Sequence, residues 1–301
     1  MTIGHKKQKE ILDKIIKSKN IPHAILFSGP DKIGKKKIAI EFIKNIFCEK
    51  GCGECYACRA IDSGNFPDLA MLSPVEGNIE IEQVRNLQNR LSLKSYNNYL
   101  KVWIIDDAHL MRKDAQNALL KTLEEPKGDT LLIVITSYPE MLLPTIRSRL
   151  QQIKFSAVSR KDIEEHLISL GGGKEKVKEI AMISSGQIGK AIEFLSDPEK
   201  LDLFNEAIKN VVSLCKSSMY KRFEFAKDFK ENQDDIVNVL DIWERFFRRE
   251  LLLKVFNGKG LLNYSLRKLK EVIDELEKTK YLVENTNVNK KLALENLLIN
   301  L

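Results

Sequence analysis

A chain of 301 residues is too long for one small core and suits two or three domains. It is 43% hydrophobic but has no apolar run of membrane-spanning length, and its first residues, MTIGHKKQKE, lack the apolar stretch of a signal peptide, so a soluble cytoplasmic protein is expected and a membrane partner is not. The net charge of +7 is uneven: residues 1–155 hold 24 Lys and Arg against 18 Asp and Glu, an excess that permits contact with nucleic acid but is too small to bind DNA by charge alone.

The first predicted strand, His23–Ser28, runs into GPDKIGKK, Gly29 to Lys36. This matches the phosphate-binding loop G-x-x-x-x-G-K-[S/T] everywhere but the last position. Gly29, Pro30, Gly34 and Lys35 form a cradle, and a helix follows with Ile38, Phe42, Ile43 and Ile46 on one face. Lys36 stands where a hydroxyl would ligate Mg²⁺, and an ammonium cannot do so. The loop therefore reads as a nucleotide site whose metal position is lost.

Four of the five cysteines follow closely, as Cys48, Cys52, Cys55 and Cys58, with Gly51 and Gly53 supplying turns. In a reducing compartment, four clustered thiols predict a closed structural Zn²⁺ site rather than disulfides. Cys215 stands alone beside Leu214 and reads as a core residue.

Further strands are expected at Ala70–Leu72, Val102–Ile105, Leu131–Thr136 and Gln151–Phe155, with helices at Glu80–Leu93 (Ile81, Val84, Leu87 and Leu91 inward) and Asp114–Leu123. Alternating strands and helices predict an α/β fold, a parallel sheet covered on both faces. The third strand ends in Asp106 and Asp107, carboxylates at the sheet edge where a nucleotide lies. In an active ATPase the second acid is usually Glu, so Asp107 is one methylene short. LPTIRSR, Leu143–Arg149, ends in the Ser148–Arg149 pair just before the fifth strand. Arg149 is by default a surface charge, but beside a nucleotide-type sheet it suits a finger reaching a neighbour's phosphate.

After Phe155 the strand signals stop. Ser159–Leu170, Lys174–Ser184 and Ile188–Leu195 predict a small three-helix unit. From about Asp202 the chain reads as helical throughout, with an apolar group at Trp243, Phe246, Phe247 and Leu251 to Leu253. A last helix capped by Asn289 presents Leu294, Leu297, Leu298 and Leu301.

On HAILFSGPDKIGKK, the cysteine knuckle, KVWIIDDAHLMRKDAQNALLKTLEEP, ITSYPEMLLPTIRSR and NVNKKLALENLLINL, the chain resembles the delta-prime subunits of the bacterial DNA polymerase III clamp loader, and more broadly gamma/tau and other AAA+ clamp-loader proteins. The resemblance implies an AAA+ P-loop domain with a zinc module (1–156, knuckle 48–58), a helical lid (157–200) and a helical collar for oligomerisation (201–301). It maps Gly29, Gly34 and Lys35 to the Walker A loop and Asp106 and Asp107 to Walker B. Thr136 or Ser137 falls at sensor 1, and Ser148–Arg149 at the Ser-Arg-Cys finger motif, with Leu150 for the cysteine. Gly189, beside Lys190, falls where active relatives keep the sensor-2 arginine.

Loss of the Mg²⁺ hydroxyl, the Walker B glutamate and the sensor-2 arginine weakens the case for ATP binding and argues against hydrolysis by this chain. The resemblance implies a stator partnered by gamma/tau and delta subunits, loading the sliding clamp on primed DNA as part of a polymerase holoenzyme. An active gamma/tau-type ATPase would need Ser or Thr after Lys35. An independent zinc-dependent DNA-binding protein would leave the sheet unexplained, and no separate acidic set for a polymerase or nuclease is visible.

Overall fold

Alternate residues of the strands face opposite sides of one sheet, and both sides are apolar, as a parallel sheet buried on both faces requires. The computed structural model describes residues 2–48, 51–75, 77–92, 100–126, 128–228, 233–258, 260–286 and 288–301. Its strands are β1 (Ala24–Ser28), β2 (Leu69–Leu72), β3 (Lys101–Ile105), β4 (Thr130–Thr136) and β5 (Gln151–Lys154). All pair in parallel, in the order β2-β3-β4-β1-β5. The register sets Ser28 against both Thr136 and Lys154, and Ile105 against Val134, so β1, β3 and β4 end along one edge. That edge carries the site.

The helices are α1 (Lys6–Ser18), α2 (Lys35–Phe47), α3 (Tyr56–Asp62), α4 (Ile81–Ser92), α5 (Lys113–Glu124), α6 (Pro144–Arg147), α7 (Arg160–Ser169), α8 (Lys174–Ile183), α9 (Ile188–Ser196), α10 (Pro198–Lys216), α11 (Met219–Asp228), α12 (Gln233–Asn257), α13 (Leu266–Asn285) and α14 (Lys290–Ile299). Ile25, Phe27, Ile104 and Ile133 pack with Leu12 of α1, Ile38, Phe42 and Ile43 of α2, and Ile61 of α3. Leu26, Trp103, Ile105 and Val134 pack on the other face with Val84 and Leu87 of α4 and Leu119 and Leu123 of α5. Leu93 and the side chain of Leu91 lie outside the described residues.

The chain divides into two compact units, Met1–Leu195 and Ser196–Leu301. In the first, α7 is capped by Ser159, whose hydroxyl accepts from Asp162 N at 3.1 Å. The second is helical and surrounds Trp243, Phe246 and Phe247, and Trp243 Nε1 donates to Ala207 O at 3.0 Å. Asn289 caps α14 as expected, accepting from Leu292 N at 3.2 Å, and Leu294, Leu297, Leu298 and Leu301 are buried. Cys215 packs against the same core. Leu252 departs from the expected apolar group: it is 55% exposed, because the helical period turns it away from Leu251. Among the described residues, no helix is long and apolar enough to cross a membrane.

Candidate functional site

The phosphate loop links the buried end of β1 to α2. Gly29 (φ 150°) is sterically obligatory, since a Cβ there would meet Phe155 O at 2.2 Å. Gly34 (φ 99°) supplies the left-handed turn that starts α2. Lys35 is buried and folds over the loop, donating to Gly29 O and Pro30 O at 2.7 Å each and to Ser137 Oγ at 3.2 Å. Burial lowers its pKa, opposed by the charges of Asp31, Asp107 and Asp106. Of the two residues at the end of β4, Ser137 therefore reaches the lysine. Thr136 Oγ1 instead accepts from Tyr138 N at 3.1 Å and lies 3.3 Å from His109 Nδ1.

Lys36 lies against the acid at the end of β3. Its Nζ is 2.9 Å from Asp106 Oδ2, an ion pair across the place where a divalent cation would join loop and acid. Asp107 adopts φ 47°, and burial followed by repulsion from Asp106 raises its pKa. These side chains line a cavity of about 320 Å³ with Asp31, Lys37, His166 and Ile188. Gly189, in the first turn of α9, donates from its backbone N to Lys32 O at 2.7 Å. A Cβ at Gly189 would meet Lys32 O at 3.0 Å and Lys32 Cβ at 3.2 Å, so a larger residue there would require Lys32 to give by a few tenths of an ångström. The Lys36 ammonium therefore pairs with the carboxylate that a metal ion at this edge would need.

Sequence reasoning missed two residues that shape this region. Gln116, buried in α5, donates from Nε2 to Met111 O at 3.0 Å and accepts at Oε1 from Leu143 N at 2.8 Å, tethering the segment that leads to Arg149. Glu124, at the end of the same helix, pairs through Oε1 with Arg149 Nη2 at 2.7 Å. Arg149 Nη1 also donates to Thr145 O at 2.9 Å, and Ser148 Oγ to the same carbonyl at 3.1 Å. The QNALLKTLEEP stretch contains both partners, and Gln116 is a polar residue on an apolar helical face, which is a readable signal. The N-terminus was not foreseen either: His5 is buried, its Nε2 donates to Ile33 O at 2.9 Å, and its ring meets Phe155 edge-on.

The four knuckle cysteines converge, their sulfurs all lying within 4.8 Å of one another. Cys48 and Cys52 Sγ are 3.6 Å apart, close to the ~3.8 Å spacing that a tetrahedron with ~2.3 Å metal–sulfur bonds requires. Cys55 N donates to Cys52 Sγ at 3.3 Å and Cys58 N to Cys55 Sγ at 3.5 Å, and the backbone N–H groups of Glu54 and Cys55 hold the Cys52 thiol below its ordinary pKa. Gly51 and Gly53 have positive φ, as expected. The group could hold one metal ion.

The model of the family described as "DNA polymerase III, delta subunit" matches residues 4–159. The chain is 30% identical over 285 residues to DNA polymerase III subunit delta' of Bacillus subtilis, spanning 88% of this chain and 85% of that one. It is 40% identical over 137 residues to the subunit delta' of Pseudomonas aeruginosa (43% and 42%), and 37% identical over 157 residues to subunit tau/gamma of Haemophilus influenzae (50% and 23%). A family match across half the chain, with a delta' relative aligned along most of both lengths, makes this chain a member of the DNA polymerase III clamp-loader family, of the delta' type.

Proposed function

We propose that this chain is the stator of a clamp loader: it completes a neighbouring subunit's ATP site with Arg149 and does not turn over ATP itself. The observation that carries the reading is the ion pair between Lys36 and Asp106, which fills the metal position with a fixed monovalent cation. Asp107 and Gly189 remove two further functional groups of active relatives, while Ser148–Arg149 is retained at a partly exposed tip. The neighbours are gamma/tau and delta subunits, and the assembly acts on the sliding clamp and primed DNA in the cytoplasm. Residues 1–156 serve as the nucleotide-type domain, 157–200 as its lid and 201–301 as the collar. One Zn²⁺ on Cys48, Cys52, Cys55 and Cys58 is structural, since four thiolates leave no open position for a substrate.

The test is ATP turnover by the purified chain alone and after assembly with a gamma/tau partner. Alone, turnover stays far below the roughly one per second of an ordinary enzyme. In the assembly, Arg149→Ala should join normally yet lower DNA-stimulated ATPase. Loss of an arginine finger costs about 10³–10⁵ at the affected site, so a ring with several sites shows a smaller total fall. Arg149→Lys should rescue poorly, because it lacks the planar fork. An Arg149→Ala assembly that loads clamps at the unmodified rate would leave Arg149 a surface charge.

A further inference from the structure

The four knuckle sulfurs are alike in chemistry and unlike in access. Cys58 is fully buried in α3, Cys48 and Cys55 are half-buried, and Cys52 stands exposed. Cys52 follows a tight turn in which Gly51 N donates to Cys48 O at 2.8 Å, with Gly51 in the left-handed region at φ 49°. The turn folds the chain back and leaves Cys52 Sγ 3.6 Å from Cys48 Sγ. A small oxidant in solvent therefore reaches one sulfur of the group freely, and a second sulfur waits beside it.

An exposed attacking thiolate with a resolving thiolate at its side is the arrangement that thiol oxidation needs. A disulfide holds its sulfurs about 2.05 Å apart, so an approach of about 1.5 Å closes the pair, across a turn whose glycines adjoin Cys52 on both sides. Cys55 is the poorer partner, because its side chain caps α3 by accepting from Cys58 N at 3.5 Å. We propose that Cys52 is an oxidation site, resolved by Cys48 into a disulfide that dismantles the metal-binding group. With hydrogen peroxide as oxidant, the Cys52 thiolate attacks one oxygen: an S–O bond forms, the O–O bond breaks, and the departing hydroxide takes a proton. The Cys48 thiolate then attacks the Cys52 sulfur, forming the S–S bond and breaking the S–O bond, with a second hydroxide leaving to be protonated. The two sulfurs give up two electrons and the peroxide takes both, ending as two waters. Cys55 and Cys58 alone do not close a tetrahedron, so the group loses its hold on a metal ion until a dithiol reduces the bridge. Loss of metal rests on the reading of the knuckle as a zinc site, whereas the pairing of the two sulfurs does not.

Treatment of the full, zinc-analysed chain with stoichiometric hydrogen peroxide tests it, followed by thiol counting under denaturing conditions and peptide mapping. The five thiols should fall to three, the mapped disulfide should join Cys48 and Cys52, and the bound zinc should pass to a chromogenic chelator. A dithiol followed by added zinc should restore both counts. Cys52→Ser should keep its four thiols under the same dose, whereas Cys215→Ser should still lose two. A disulfide that includes Cys55 or Cys58, first oxidation at Cys215, or five thiols surviving the treatment would overturn the proposal. The two readings fail separately. Untreated protein without zinc sinks the metal and leaves the mapped pair to be read, and zinc-bearing protein that keeps all five thiols sinks only the oxidation site.

Discussion

His5 and His109 are both enclosed near the phosphate loop, and burial is the main cause holding each imidazole below its ordinary pKa of 6.5. The unfolded chain therefore takes up protons at these positions first, and folding must release them. Their contribution to stability is whole above about pH 6.5 and is lost as pH falls below it. Urea midpoints should drop between about pH 7.5 and about pH 5.5, and His5→Gln, which keeps an N–H donor for Ile33 O but does not titrate, should flatten that slope. An unchanged slope in the variant would show that His5 is not one of the groups responsible. At this scale the sequence is informative where one residue type has one use. Gly29, Lys35 and the Lys36 substitution are legible because the loop pattern leaves few alternatives. The choice between Thr136 and Ser137 is not legible, since both are hydroxyls and only the strand register turns Ser137 toward Lys35.

Among the elements, the strands were the most readable, because five short apolar runs alternate with helical patterns. Differences lie at the ends: β2 begins at Leu69, β5 stops at Lys154, and α10 starts at Pro198 with Asp197 as its cap. Helix α1 carries an amphipathic signal of its own, with Leu12, Ile15 and Ile16 at helical spacing and packed on the core between charged residues. What no pattern reveals is how α5 grips the following segment at both ends, through Gln116 to Leu143 and Glu124 to Arg149, pairings 27 and 25 residues apart. The second unit has a comparable anchor. Glu250, buried in α12, accepts at Oε2 from Leu261 N at 2.6 Å and Leu262 N at 3.1 Å, fixing the turn between α12 and α13. Glu250→Ala should leave the buried Leu262 amide without an acceptor and cost about 1–3 kcal/mol, read from urea unfolding. Glu250→Gln, which keeps a carbonyl oxygen, should cost less. Equal losses in both variants would assign the effect to packing alone.

At the scale of the whole molecule, each compact unit owns one of the two tryptophans: Trp103 on β3 and Trp243 on α12. Both are buried, so single-tryptophan variants made with phenylalanine report the units separately. The cysteine group lies wholly in the first unit, and α3 within it packs on the core shared with β1 and α2. Stripping zinc with a strong chelator, or Cys55→Ser, should lower the thermal midpoint reported by Trp103 and leave that of Trp243 in place. Equal shifts at both tryptophans would mean that the chain unfolds as one. Native protein without zinc, its four thiols freely titratable, would remove the metal altogether. The division into a mixed and a helical half was legible because strand signals end at Phe155, but the sequence could not show that α7, α8 and α9 group with the sheet in one unit.

The contact of Gly189 with Lys32 couples the start of α9 to the phosphate loop. A Cβ at position 189 would lie 3.0 Å from Lys32 O, so any larger residue there obliges the loop or the helix to give by a few tenths of an ångström. A change at position 189 is therefore felt in the loop as well as in the helix that carries it.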